Sequence, residues 1–329
     1  VYSGLFILIK NGLIDDDELT VQDLAMEFVE QAQIHGDPVH IARALAMQGL
    51  TFAGLGMFEE AINVQKKLEK VYNPETDVTE WSDNPALCLR DYLTSSGYGL
   101  GEADANIDDT LVTAAATVCA QTNTDAGTTR YTANGTFTTS ITPFDLINSL
   151  LTSMSGSLWY SQGKWRMKPA YWTAPVLALD EDDLRSSISV ATRHSRRDNF
   201  NTIKGTFRGE ESNWQVTDYP EVTNAAFVTA DNGHVSTVDI DLPFTDNSIE
   251  ARRIGRIGLE ANRQQLMVGA SFGLRALAVQ VGDNITLTNN RFGWVSKEFQ
   301  VVSWNFGLTD GLDLQIEMSL KETAESVFD

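Results

Sequence analysis

The sequence predicts an α+β protein built from more than one domain. Apolar residues recur at helical spacing in the first 70 residues, helices and short strands alternate in the middle, and apolar and polar residues alternate as in strands in the last third. We therefore predict a helical region at 1–73, an α+β module at 74–188 and a β-rich module at 189–329. A chain of 329 residues can hold two or three such domains.

The N-terminal region is predicted to contain three helices, over about 21–33, 39–53 and 58–71. The first has a buried stripe at helical spacing, formed by Val21, Leu24, Ala25, Phe28 and Ala32. The other two weakly resemble one tetratricopeptide repeat over 38–74. Small or aromatic residues occupy several positions of that motif, namely Gly49, Phe52, Gly56, Phe58 and Ala61. A plain helical hairpin is the alternative.

Start and stop signals place two helices in the middle region. Asn84 and Pro85 favour a helix start, and Gly97 favours its end. Thr142, followed by Pro143 and by Asp145 three places on, predicts a second start. Its expected buried stripe is Phe144, Ile147, Leu151 and Met154, and a helix between the two should bury Ile107, Leu111, Ala115 and Val118.

Turn signals and alternation predict strands in the rest of the chain. Gln162-Gly163 should form a hairpin turn between strands at 157–161 and 164–168. Leu266 to Phe272, Ile285 to Leu287, Phe299 to Phe306 and Leu312 to Leu320 are each expected as strands, and a helix is expected over 248–264. Several antiparallel strands with one helix predict a small barrel or sandwich for 189–329.

Composition excludes several classes of function. The net charge of −21 argues against binding nucleic acid, because that binding depends on neutralising phosphates. Apolar runs are too short to predict a transmembrane segment. Cys88 and Cys119 each fall in a predicted helix, so they are expected as buried free thiols rather than as a disulfide.

The motif search predicts no catalytic residue, no cofactor-binding residue and no metal ligand. The histidines His35, His40, His194 and His234 lack zinc-site spacing. Gly97, Gly99 and Gly101 are interpreted as a helix end rather than a phosphate loop, and 180–183 as an acidic helix start rather than a cation site.

The basic run 193–197 could contact an acidic partner or pair with local carboxylates. The tryptophans are interpreted as core or interface anchors, with a sugar platform as the alternative; they are Trp159, Trp165, Trp172, Trp214, Trp294 and Trp304.

Several segments of the sequence resemble the host-specificity, or tip attachment, proteins that form the central hub of long bacteriophage tails. These segments lie at 82–93, 97–101, 217–222, 281–287, 292–304 and 320–329. The resemblance covers about 71–329. It implies a non-enzymatic virion protein that assembles in the host cytoplasm as a homotrimer, closes the tail tube and contacts the tape-measure and other tail-tip proteins. Such a protein would link the tube to the parts that recognise the host.

Two other functions remain open at this point. The N-terminal helices could form an adaptor that binds a peptide or protein partner. A carbohydrate-active enzyme is the third alternative, because carboxylates are abundant, although catalysis of that kind depends on their separation in space.

Overall fold

The computed structural model describes residues 70–122, 127–137, 140–193, 195, 197–209, 212, 214–308 and 314–328. The chain divides into two compact units, with the boundary in the sequence between Glu102 and Ala103. The predicted N-terminal helices and the tetratricopeptide-like segment lie outside the described residues. One detail is corrected, since Val71 begins a strand and the third helix cannot extend to it. The limits of the three predicted regions stay a prediction.

The described part of the first unit contains one hairpin and one helix. Strands β1 (Val71–Asn73) and β2 (Val78–Glu80) pair antiparallel, and helix α1 (Pro85–Thr94) follows. The predicted helix start is confirmed, because the Asn84 side chain accepts a hydrogen bond from the Ala86 amide and Pro85 occupies the first turn.

The predicted end of α1 at Gly97 is wrong. The helix stops at Thr94, and the chain then turns back so that the Leu100 amide donates to the Tyr92 carbonyl at 3.0 Å. A β-carbon at Gly99 would lie 1.9 Å from that same oxygen. The close approach of backbone to backbone therefore requires glycine at position 99.

The second unit contains four α-helices among its described residues. They are α2 (Asp109–Cys119), α3 (Pro143–Ser153), α4 (Ala225–Ala230) and α5 (Ser248–Arg263). The Thr142 start signal is confirmed, since its hydroxyl accepts from the Asp145 amide. The 248–264 helix is confirmed as α5.

The predicted buried faces of α2 and α3 are only partly correct, since Ile107 and Ala115 are buried as expected but Leu111 and Val118 are half-buried. Helix α2 buries Val112, Ala115, Ala116 and Cys119, and α3 buries Leu146, Leu150 and Ser153. Phe144, expected inside, is 72% exposed, although Met154 is buried as expected. Both helices carry apolar residues at adjacent positions, so two overlapping stripes satisfy the helical period and only the tertiary contacts select between them.

The strands of the second unit form four sheets. The small ones are the hairpin β3 (Ser157–Ser161) with β4 (Lys164–Lys168), the pair β8 (Thr206–Arg208) with β9 (Val216–Asp218), and a three-stranded sheet of β10 (Val222–Thr223), β7 (Thr202–Lys204) and β11 (Thr237–Asp239). Gln162 and Gly163 both have positive φ in the β3–β4 turn, as predicted.

The largest sheet has six strands in the order β5-β13-β14-β15-β12-β6. Their bounds are β5 (Leu177–Leu179), β6 (Ser189–Ala191), β12 (Met267–Phe272), β13 (Asn284–Asn289), β14 (Trp294–Leu308) and β15 (Leu314–Glu322). One face packs a core whose largest fully buried members include Phe272 and Phe299. Burial of these apolar side chains supplies the main stabilisation of the unit.

The barrel or sandwich predicted for 189–329 is not observed in the described residues. The six-stranded sheet is open, with β5 at one edge and β6 at the other. It is also mixed, since β5 pairs with β13 in parallel and all other neighbours are antiparallel. Alternation along each strand reports which face is buried, but the order and direction of pairing depend on contacts that are remote in the sequence.

Candidate interaction surface

Strand β14 extends beyond its neighbour on one side. β13 pairs with β14 only as far as Gln300, whereas β15 pairs with it from Phe299 to Leu308. From 302 to 308 one edge of β14 therefore has no partner strand among the described residues. An unpaired strand edge presents a row of backbone donors and acceptors to another chain.

The row of core-facing side chains on β14 and β15 continues beyond the core. Trp304 lies opposite Met318, Phe306 opposite Ile316 and Leu308 opposite Leu314. Ile316 and Met318 are buried, but Phe306 is 46%, Leu308 60% and Leu314 42% exposed. Residues directly opposite each other share a face of the sheet. An apolar strip thus leaves the core and reaches the surface.

A short turn adds two leucines beside this strip. The 3-10 helix Leu274–Ala278 follows β12, contacts β15 and accepts a hydrogen bond from the Trp304 indole at the Ala276 carbonyl (3.4 Å). Leu274 is 51% and Leu277 55% exposed. We name the set Phe306, Leu308, Leu314, Leu274 and Leu277 the apolar edge. A surface that combines exposed apolar side chains with an open strand edge is typical of a protein–protein contact.

A second feature is a buried carboxylate cluster at the start of α5. The Thr132 amide donates to Glu250 Oε1 at 2.8 Å, and Thr132 Oγ1 lies 2.8 Å from Glu250 Oε2 and 3.1 Å from Asp246 Oδ1. Asn134 Nδ2 donates to Asp246 Oδ2 at 2.6 Å. Arg253 Nη1 donates to the Arg130 carbonyl at 2.7 Å. Together these bonds attach the segment 130–134 to α5.

Burial raises the pKa of Glu250 to about 8, and the negative charge of Asp246 acts in the same direction. The two hydrogen bonds from Thr132 and the charge of Arg253 lower that pKa in part. Glu250 is 2% exposed, so its carboxyl group is largely protonated at neutral pH. A protonated Glu250 can donate to Thr132 Oγ1, and this frees the hydroxyl proton of Thr132 for Asp246.

The carboxylates of 180–183 serve local structure. Glu181–Asp183 form a 3-10 turn in which Asp180 accepts from the Asp182 amide and Asp183 accepts from the Asp180 amide. Asp183 also pairs with Arg275 at 3.0 Å. Within the described part of the chain, no group of three or more His, Cys, Asp or Glu side chains could hold a metal ion.

The other residues singled out from sequence do not come together. His234 lies near Arg197, while His35, His40, His194 and Arg196 lie outside the described residues. Cys119 is buried as expected, whereas Cys88 is half-buried. Of the helices that the structure describes, none is both long and apolar enough to cross a membrane.

Several tryptophans act as anchors within the second unit. Trp294 and Trp304 pack against the core of the six-stranded sheet. Trp172 Nε1 donates to Glu298 at 3.1 Å, and Trp165 contacts Tyr160 edge-on with ring centroids 5.2 Å apart. These contacts place indole rings in cores and at seams between elements.

Sequence reasoning missed both the apolar edge and the carboxylate cluster. One signal for the cluster was available, because Glu250 stands four and seven residues before Ile254 and Ile257 on the buried stripe of α5. The apolar edge had no such signal. Leu314 follows the same alternation as buried Ile316, and only the lengths of the neighbouring strands distinguish them.

Comparison with known proteins gives one family match. The Phage-tail_3 family model, which describes a phage tail protein, matches residues 142–304. The baseplate hub protein pb3 of Escherichia phage T5 is 23% identical over 294 residues, which cover 82% of this chain and 30% of that protein. The predicted similarity to phage tail proteins is confirmed by these matches.

A solved structure shares the fold. A chain of the virion of a native gene transfer agent particle superposes with a TM-score of 0.50 and 14% identity, over 74% of this chain and 48% of that chain. The chain thus spans about a third of the hub protein and about half of the virion protein that it matches.

Proposed function

We propose that this chain is a structural part of a phage tail tip, in the position of a baseplate or central hub. The observation that carries the proposal is the match to a baseplate hub protein along 82% of the chain. The family match and the fold shared with a virion protein support it. The proposal assigns no catalytic activity to the chain, because the proteins it matches are named as parts of tails, baseplates and virions.

In this proposal the chain forms a homotrimer through the apolar edge. An open strand edge can accept backbone hydrogen bonds from a second copy, and the exposed Phe306 and Leu308 would be buried by the same contact. The trimer would close the tail tube and contact the tape-measure protein, other tail-tip proteins and the parts that recognise the host. The net charge of −21 favours a protein partner over nucleic acid.

The oligomeric state tests the contact surface. The full chain is measured by mass photometry and light scattering, together with a Phe306→Ser, Leu308→Ser variant. Both side chains are exposed, so the monomer should keep its fold while the trimer is lost. Val295→Ser is the matched control, because Val295 is 82% exposed on the same strand but lies outside the apolar edge. A wild-type chain that stays monomeric at high concentration, or a double variant that still forms trimers, contradicts the proposed contact.

The place in the particle is tested separately by antibody labelling of assembled virions. Label at the tail tip supports the hub assignment, and label confined to the head or the tail shaft contradicts it.

A further inference from the structure

A cavity of about 370 Å³ lies within the second unit, between α5, the β3–β4 hairpin and β14. Most of its wall is apolar and includes Leu158, Trp159, Ile257, Val281 and Phe328. Ligand sites commonly have volumes of about 300–1,000 Å³, mainly apolar walls and a few polar groups. The dimensions and the wall fit a small molecule.

One charged side chain, Lys168, lines this apolar cavity. Its Nζ donates to the Gly282 carbonyl at 2.6 Å and to Thr173 Oγ1 at 3.0 Å. An ammonium group has three protons, so one donor position remains after these bonds. Among the described residues no carboxylate lies within ion-pair distance of Lys168.

The electrostatic environment of Lys168 favours an anion. Burial lowers the pKa of this ammonium, and the charge of Asp283 opposes the effect only in part. Lys168 is half-buried, and a cation in such a position without an ionic partner carries part of a desolvation cost, which a bound anion offsets. The whole chain is strongly negative and repels anions, so an anion needs a local positive charge such as that of Lys168.

The indole ring of Trp159 forms part of the same wall. The ring packs against Gly282, where φ is +90° and a β-carbon would lie 3.0 Å from the indole. Glycine at this position lets the ring and the Gly282 carbonyl, which accepts from Lys168, occupy one wall of the cavity.

We propose that this cavity binds a small amphipathic acid, whose carboxylate pairs with Lys168 and whose apolar body lies against Ile257 and Phe328. Hydrogen bonds between charged partners are stronger than neutral ones, and they supply selectivity for the acid over its neutral analogue. None of the residues named for this site belongs to the apolar edge.

Isothermal titration of the full chain tests the site, with octanoate as the probe and octanamide as its neutral analogue. Octanoate should bind the wild type saturably and more tightly than octanamide. Lys168→Met should weaken octanoate binding by at least about tenfold, the change that corresponds to about 1.4 kcal/mol, and should leave octanamide binding nearly unchanged. Lys164→Met is the matched control, because Lys164 is exposed on the same strand and does not line the cavity.

A second variant keeps the test decisive if Lys168→Met fails to fold. Ala261→Leu adds volume to the α5 side of the cavity and should weaken both probes while the charge is retained. No saturable octanoate binding at millimolar concentration would overturn the inference. Equal octanoate binding by the wild type and Lys168→Met, or by the wild type and Ala261→Leu, would overturn it as well. The oligomeric state reports on the hub proposal whichever result is obtained.

Discussion

Replacing Glu250 by glutamine should remove a large pH dependence from the stability of the second unit. The glutamine side chain can accept from the Thr132 amide and donate to Thr132 Oγ1, as a protonated glutamate does. It cannot ionise. The substitution therefore keeps the shape and the hydrogen bonds of the cluster and deletes only the titration.

The sign follows from the two pKa values. An ordinary glutamate in the unfolded chain titrates near 4.5, and burial raises the pKa of Glu250 to about 8 in the folded chain. Between these values the folded state holds one more proton, so the free energy of unfolding falls as pH rises. One pKa unit corresponds to about 1.4 kcal/mol, which gives at most about 5 kcal/mol lost between pH 4.5 and pH 9.

The measurement is urea denaturation followed by tryptophan fluorescence at pH 5.5, 7 and 9. We expect the wild-type midpoint to fall across this series and the Glu250→Gln midpoint to fall much less. At pH 5.5, one unit above the pKa of the unfolded glutamate, the variant should be more stable by about 1.4 kcal/mol, and at pH 9 it should be more stable by several kcal/mol. Glu221→Gln is the control, because the Glu221 side chain is 47% exposed and should leave the pH dependence intact.

Parallel pH curves for the wild type and Glu250→Gln would refute this reasoning, because the titration would then arise elsewhere. A variant less stable than the wild type at pH 9 would also refute it, since that result would mean that the ionised carboxylate stabilises the cluster.

Two further substitutions test local geometry. In thermal melts, Gly99→Ala should destabilise the first unit by about 1–3 kcal/mol, because the added β-carbon would overlap the Tyr92 carbonyl. Gly97→Ala is the control, since a β-carbon at Gly97 meets no atom within 4 Å and should leave the stability nearly unchanged. Thr142→Ala should lower the free energy of unfolding by about 1 kcal/mol in urea denaturation, because it removes the cap of α3. Asn148→Ala is the control, since Asn148 is exposed inside the same helix and its loss should not change that free energy. Equal losses for the two variants would contradict the capping argument.

Local signals in the sequence predicted local structure well. The Thr142 cap, the Gln162-Gly163 turn and the limits of α5 depend on neighbours in the chain, and the structure confirms them. The buried face of α3 could not be chosen in the same way, because Leu150 and Leu151 are both apolar and only the tertiary contacts decide which is inside. The end of α1 was misplaced for a similar reason, since the contact of Gly99 with Tyr92 is not a composition signal.

The candidate sites depend on contacts that no local pattern contains. The cluster around Glu250 needs Thr132, which is 118 residues away, and the cavity needs Lys168 beside Gly282, which is 114 residues away. The similarity to tail proteins was predictable because it rests on long stretches of sequence rather than on a few side chains in space.

Contacts between residues that are far apart in the sequence also determine how the second unit folds during synthesis. Trp172 bonds to Glu298 across 126 residues, and Thr132 can bond to Glu250 only after α5 has been synthesised. Closing such large loops is slow because the entropy is lost before the contacts form. A ribosome must therefore release most of this unit before its early segments find their partners, and a chain interrupted near the middle would leave apolar surface open to chaperones or to aggregation.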